Sequence, residues 1–106
     1  MTAAPVTPVV AADDDSGSAV FGTASTPVAN VTTNDDIDGA SIVLSGTGTN
    51  GTIETVGTYP AGISLNPTTG AITVTDSVPA DDYTVQYRLC DLTTPTAICD
   101  LSLIHI

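Results

Sequence analysis

Apolar and polar residues alternate most cleanly in the second half of the chain. Tyr83, Val85, Tyr87 and Leu89 interleave with Thr84, Gln86 and Arg88, the period of two that gives a strand one buried and one solvent face. Thr52-Ile53-Glu54-Thr55-Val56 alternates in the same way. Ile63-Ser64-Leu65 and Ala71-Ile72-Thr73-Val74 flank Asn66-Pro67-Thr68-Thr69-Gly70. Proline suits the first central position of a type I turn and glycine the left-handed position that closes it, so this block predicts a hairpin. Ile98 onward reads as a last strand.

The first half is less regular. Pro27 to Thr32 alternates as a strand should, Ser41-Ile42-Val43-Leu44 reads as another strand, and Ala19-Val20-Phe21 is a short apolar stretch. Asp13-Asp14-Asp15-Ser16-Gly17-Ser18 and Asn34-Asp35-Asp36-Ile37-Asp38-Gly39 are acidic turns, and Pro79-Ala80-Asp81-Asp82 is another turn. Residues 1–12 carry two prolines and no charge, an extended linker running into a first strand, with the domain boundary placed between 11 and 12. No segment shows helical periodicity. About seven or eight short strands punctuated every ~8–12 residues predict an all-β chain folded as a β-sandwich.

Composition supports that class and narrows function. The 106 residues are rich in Thr, Val, Ala and Gly and poor in residues that favour helices. Three Tyr, one Phe and no Trp leave few side chains able to bury large area. Twelve acidic residues stand against one basic residue, Arg88, for a formal net charge of −11. Nucleic-acid binding, which needs Lys and Arg, is excluded, and docking on anionic lipid is disfavoured. No apolar run approaches the ~20 residues of a membrane span. The opening residues have neither a basic nor an apolar segment, so no signal peptide is expected to start at Met1. A thin sandwich with this much self-repulsion calls for an offset, and a bound cation and a disulfide are the obvious candidates.

Two blocks carry a resemblance. Tyr59-Pro-Ala-Gly-Ile-Ser-Leu-Asn-Pro-Thr-Thr-Gly-Ala-Ile-Thr-Val, continued by Asp82-Tyr-Thr-Val-Gln-Tyr-Arg-Leu-Cys-Asp, resembles the Ig-like and cadherin-like modules strung in tandem through very large bacterial surface proteins. The acidic entry at Asp13-Asp14-Asp15 and the Val31 to Gly39 stretch are similar to them too, so the likeness covers roughly residues 12–100. It implies an Ig-like or cadherin-like sandwich of about seven strands in a non-enzymatic, extracellular structural or adhesion repeat, with calcium at acidic turns or repeat junctions. Its partners would be neighbouring repeats of the same chain, with a cell-surface protein or glycan met by other parts of the parent protein. Residues 1–11 would be the exit of a preceding repeat. The final Leu101-Ser-Leu-Ile-His-Ile106 departs from the family pattern and matches what a transposon-end sequencing adapter encodes in frame. The natural sequence is expected to stop near Asp100; a native last strand is the other reading, since the alternation permits one.

Candidate chemistry follows from these readings. Asn34-x-Asp36-x-Asp38-Gly39 places an oxygen ligand at every second position before a glycine, the front half of a calcium loop. Ser45 stands where an EF-hand would carry its bidentate Glu, so an EF-hand is rejected. A β-protein calcium turn remains, drawn from Asp13, Asp14, Asp15, Asn34, Asp35, Asp36 and Asp38. The competing reading is that Asp and Asn simply favour turns. Cys90 and Cys99 bracket a loop between the last strands and fit a hairpin disulfide in an oxidising setting; two free buried thiols are the alternative.

The remaining motifs carry less. Gly46-Thr-Gly-Thr-Asn-Gly51 has dinucleotide-loop spacing, but strand-like residues follow it where a helix is needed. Asn30-Val31-Thr32 and Asn50-Gly51-Thr52 match the glycosylation sequon and are treated as chance. Nucleophilic catalysis lacks a dependable base, because no weight falls on His105. An accessory carbohydrate-binding module of a secreted hydrolase is the rival function. Tyr83 and Tyr87 read as core, which leaves Tyr59 as the one free aromatic for a sugar platform.

Overall fold

The computed structural model describes residues 9–92 and 97–106. Residues 1–8 of the expected linker and residues 93–96 of the loop between the cysteines lie outside the described residues. Among those described, every regular element is a strand: β1 (Val10–Ala11), β2 (Asp15–Ser16), β3 (Ser25–Val28), β4 (Asp36–Ile37), β5 (Ala40–Ser41), β6 (Gly51–Val56), β7 (Ile63–Leu65), β8 (Ile72–Val74), β9 (Thr84–Asp91) and β10 (Cys99–His105). They pair as three sheets, β2-β10-β9-β6, β3-β8-β7 and β1-β4-β5. The fold is an Ig-like β-sandwich. The count exceeds seven because β1, β2, β4 and β5 are pairs of residues rather than full strands.

The core lies between the two larger sheets. Val85, Tyr87 and Leu89 of β9, Ile53 of β6 and Ile104 of β10 pack with Val28 of β3, Ile63 of β7 and Ile72 and Val74 of β8. Tyr87, Leu89, Ile72, Val74 and Ile104 are fully buried, and the alternation read along β9 is the alternation observed. Leu101 to His105 continue β10, with Ile104 opposite Val85, so the terminal alternation is used as a strand. Arg88 meets Glu54 on the exposed outer face at 2.6 Å, an ion pair worth little in water.

The hairpin at 66–70 forms as predicted, and its residues do two jobs. Asn66 Oδ1 accepts the main-chain N–H groups of Thr68 (2.9 Å) and Thr69 (3.2 Å), and Gly70 N–H donates to Asn66 O. Gly70 has φ of 77° and sits against Asn30, where a Cβ would lie 2.3 Å from Asn30 Oδ1. Only glycine satisfies both demands.

Two expected strands are shifted. The strand placed at 27–32 ends at Val28. Asn30 Oδ1 accepts both the N–H (2.9 Å) and the hydroxyl (2.6 Å) of Thr32, a side-chain turn that takes the chain out of the ladder. Val31 therefore reaches full burial from a turn. The strand placed at 41–44 keeps only Ser41 in a ladder, as the end of β5. Val43 pairs instead with Asn50: Asn50 Oδ1 accepts Val43 N–H at 2.7 Å, Asn50 N–H donates to Val43 O at 3.0 Å, and Asn50 Nδ2 donates to Ser41 O. The Gly46–Gly51 stretch is a loop leading into β6, with no helix behind it.

Val10 and Ala11, on the linker side of the expected boundary, pair with Ile37 and Asp36. Cys90 and Cys99 form the disulfide, directly opposite each other in β9 and β10. Asp91 N–H donates to Ile98 O, and Tyr83 and Ile106 exchange both main-chain bonds. That alternation leaves Cys90 and Cys99 at a pair without main-chain bonds, where strands run closest; their Cα atoms are 4.0 Å apart. Closing a loop of this length contributes about 2.7 kcal/mol on the chain-entropy account.

Candidate functional site

The acidic residues are brought together by the entry of the chain. β1 lies antiparallel to β4, with Ala11 opposite Asp36, so the next residues, Asp13 to Asp15, run past the turn at 32–35. Asp13 N–H donates to Asp35 Oδ1 at 2.8 Å, and Asn34 Nδ2 donates to Asp14 O at 3.0 Å. Two runs separated by some twenty residues thus meet in one seam.

At its inner edge is Tyr87. A buried phenol must place its hydroxyl on a partner, and three oxygens surround it: Val31 O at 3.0 Å, Asp15 Oδ2 at 3.4 Å, and Asp35 Oδ2 in close contact. The hydroxyl has one proton to give. Three acceptors and one proton leave oxygen lone pairs in excess.

Electrostatics reflect that excess. Burial, and then the neighbouring Asp35 charge, push the Asp15 carboxyl up to about 7. Asp35, only 4 % exposed, is also raised by burial, with the Tyr87 hydroxyl and the Asp13 N–H opposing. Tyr87 is held well above the ordinary phenol range by burial and by its bond to Asp35. Asp14 moves the other way. Its Oδ1 accepts Leu103 N–H at 3.0 Å and the Ser102 hydroxyl at 3.1 Å, and these bonds lower its carboxyl.

The other candidates lie further along the hairpin. Asp38 Oδ1 accepts Val9 N–H at 2.8 Å, while Asp38 N–H donates to Val9 O. Asp38 and Gly39 both have positive φ, 53° and 79°, and link Ile37 to Ala40 across a two-residue connection. That is the Asp-Gly signature of a type I′ hairpin. Asp36 sits in the β4 ladder between Ala11 and Ser41. The structure therefore joins Asp13, Asp14, Asp15, Asn34 and Asp35 and engages Asp36 and Asp38 in hairpin duties.

Asp100, which the acidic-turn reading passed over, belongs to the same system: its Oδ2 accepts Ala12 N–H at 2.9 Å. A lone aspartate in the run after Cys99 was the available signal. The donor set at Tyr87 is all oxygen, the chemistry calcium takes. Among the described residues, however, no group of three His, Cys, Asp or Glu side chains is placed to hold a metal ion. Tyr59 is half-buried against the core and donates its hydroxyl to Gln86 O at 2.8 Å, and burial pushes its phenol up to about 12. It is therefore not the free aromatic that the rival carbohydrate-binding reading would need.

Two sheets packed across an apolar core define an immunoglobulin-like β-sandwich domain. The family model described as Putative Ig domain matches residues 7–97, and the chain belongs to that family. No curated protein matches the chain, and no solved structure does.

The raised carboxyls predict a pH dependence. Asp15 and Asp35 hold their protons more tightly folded than unfolded, so the folded state binds more protons between pH ~4 and ~7, and stability falls as pH rises through that window. In chelator, melting temperature is expected to be higher at pH 5 than at pH 8. Asp15→Asn should flatten the profile; an unchanged slope in that variant would assign the dependence elsewhere.

Proposed function

We propose that this domain is a non-enzymatic spacer, one repeat of a large bacterial surface or secreted protein, whose work is mechanical. The carrying observation is the direction of its end segments. β2 runs parallel to β10, with Asp15 beside Ile104 and Ser16 beside His105. A chain whose entry segment, here β2, runs parallel to its last strand enters at one end of a domain and leaves at the other. That suits a string of like modules, each meeting the next copy end to end.

The Ig-like family and the disulfide support an extracellular setting, since cross-links of this kind persist in oxidising compartments. Calcium belongs to the same proposal. Asp13, Asp14, Asp15, Asn34 and Asp35 would supply its oxygens, and the ion would contribute positive charge where carboxylates crowd a buried phenol. Its support is the surplus of acceptors at Tyr87 and the net charge of −11.

Extracellular modules bind calcium with Kd of ~10⁻⁴–10⁻³ M. A tenfold excess over Kd adds about 1.4 kcal/mol. Calcium, and not magnesium at equal concentration, is expected to raise the melting temperature; identical curves in chelator and in calcium would remove the ion from the account. On a glycan array the chain is expected to be silent. Specific binding there would replace the spacer with a carbohydrate-binding module.

A further inference from the structure

The cystine joins two sulfurs in unlike surroundings. Cys90 is 9 % exposed, although it shares the outward parity of Arg88 along β9. Cys99, at the start of β10, is exposed. An external nucleophile therefore has one cysteine within reach. Each cysteine also keeps its place without the bond between the sulfurs. Cys90 pairs with Thr52 in the β6–β9 ladder. Ile98, next to Cys99, is tied twice to Asp91: Ile98 N–H donates to Asp91 Oδ1 at 2.8 Å, and Asp91 N–H donates to Ile98 O at 2.9 Å. We propose that Cys90–Cys99 is a thiol-exchange site, opened by attack on Cys99 Sγ, that gives this domain a reversible covalent attachment point for a thiol-bearing partner.

The exchange needs no oxidant or reductant. The incoming thiolate sulfur bonds to Cys99 Sγ as the Cys90–Cys99 bond breaks. The electron pair of that bond stays on Cys90 Sγ, which leaves as a thiolate and takes a proton from water. One disulfide replaces another. Arg88, the only basic residue of the chain, stands two positions from Cys90 on the same face of β9, about 7 Å along the strand. A nearby guanidinium stabilises a thiolate, so Arg88 helps Cys90 leave. Glu54 offsets part of that charge, since its Oε1 accepts Arg88 Nη2 at 2.6 Å. The backbone bonds at Thr52 and Ile98 hold the two cysteines side by side after opening, so Cys90 can attack the mixed disulfide and reseal the cross-link. The net charge of −11 selects against an anionic partner; the fitting partner presents its thiol beside positive charge.

The test follows the unchanged chain in a small thiol, quenched with acid, denatured, alkylated and mapped by mass spectrometry. The adduct is expected on Cys99 and the alkyl group on Cys90. Cysteamine should react faster than thioglycolate at low salt, compared at equal thiolate concentration. The rate should stay level in urea too dilute to unfold the domain. Arg88→Gln should slow the reaction about twofold, and Glu54→Gln should speed it by a similar factor, as a charge at that distance in water allows. Adduct shared between the two cysteines would overturn the site, as would a rate that climbs with urea in step with unfolding. Faster reaction with thioglycolate would overturn the class of partner, and an unchanged rate in Arg88→Gln the part assigned to Arg88. Mapping and urea dependence use the unchanged chain, so they decide even if a variant fails to fold.

Discussion

The entry segment cannot hold itself in place by strand pairing. β1 and β2 are two residues each, too short to pair the main-chain donors between and around them. Carboxylates supply the missing acceptors. Asp38 takes Val9 N–H, Asp100 takes Ala12 N–H, Asp35 takes Asp13 N–H, and Asp14 returns the arrangement by taking Leu103 N–H. The position of the first paired strand, and so the direction in which the chain enters, depends on these bonds.

This use of aspartate has an electrostatic cost. Asp35 is drawn close to Asp13 and Asp100, and Asp15 and Asp35 share the environment of one buried hydroxyl. Their raised carboxyls record it. Asp14, bonded to an N–H and a hydroxyl near the surface, shows the reverse. The same residue type is thus strained at the inner edge of the seam and relaxed at its outer edge. The calcium of the proposed function would ease the strained part by adding positive charge there.

Much of the sandwich was legible because its long strands satisfy themselves. β6, β7, β8 and β9 follow their alternation, and the Asn66–Gly70 hairpin follows its turn chemistry. The legible part stops where side chains replace main-chain partners. Nothing in the local pattern says that Asn30 will end a strand after Val28, or that Asn50 will pair with Val43. Periodicity reports burial, and Val31 is buried without being in a strand. The acidic runs were legible as a group and not in their roles. Charge and turn preference marked Asp13 to Asp15 and Asn34 to Asp38, but the assignment of Asp38 to a type I′ hairpin, of Asp100 to Ala12, and of Tyr87 to the centre of the seam depends on β1–β4 pairing and on contacts across more than fifty residues.

The most direct measurement is amide hydrogen exchange, followed residue by residue in chelator at neutral pH. If aspartate side chains hold the entry segment, the amides of Ala12, Asp13 and Leu103 exchange far more slowly than in a free chain, although none of the three donates to a main-chain carbonyl there. Exchange of those three amides at free-chain rates, with β9 still protected, would contradict the account.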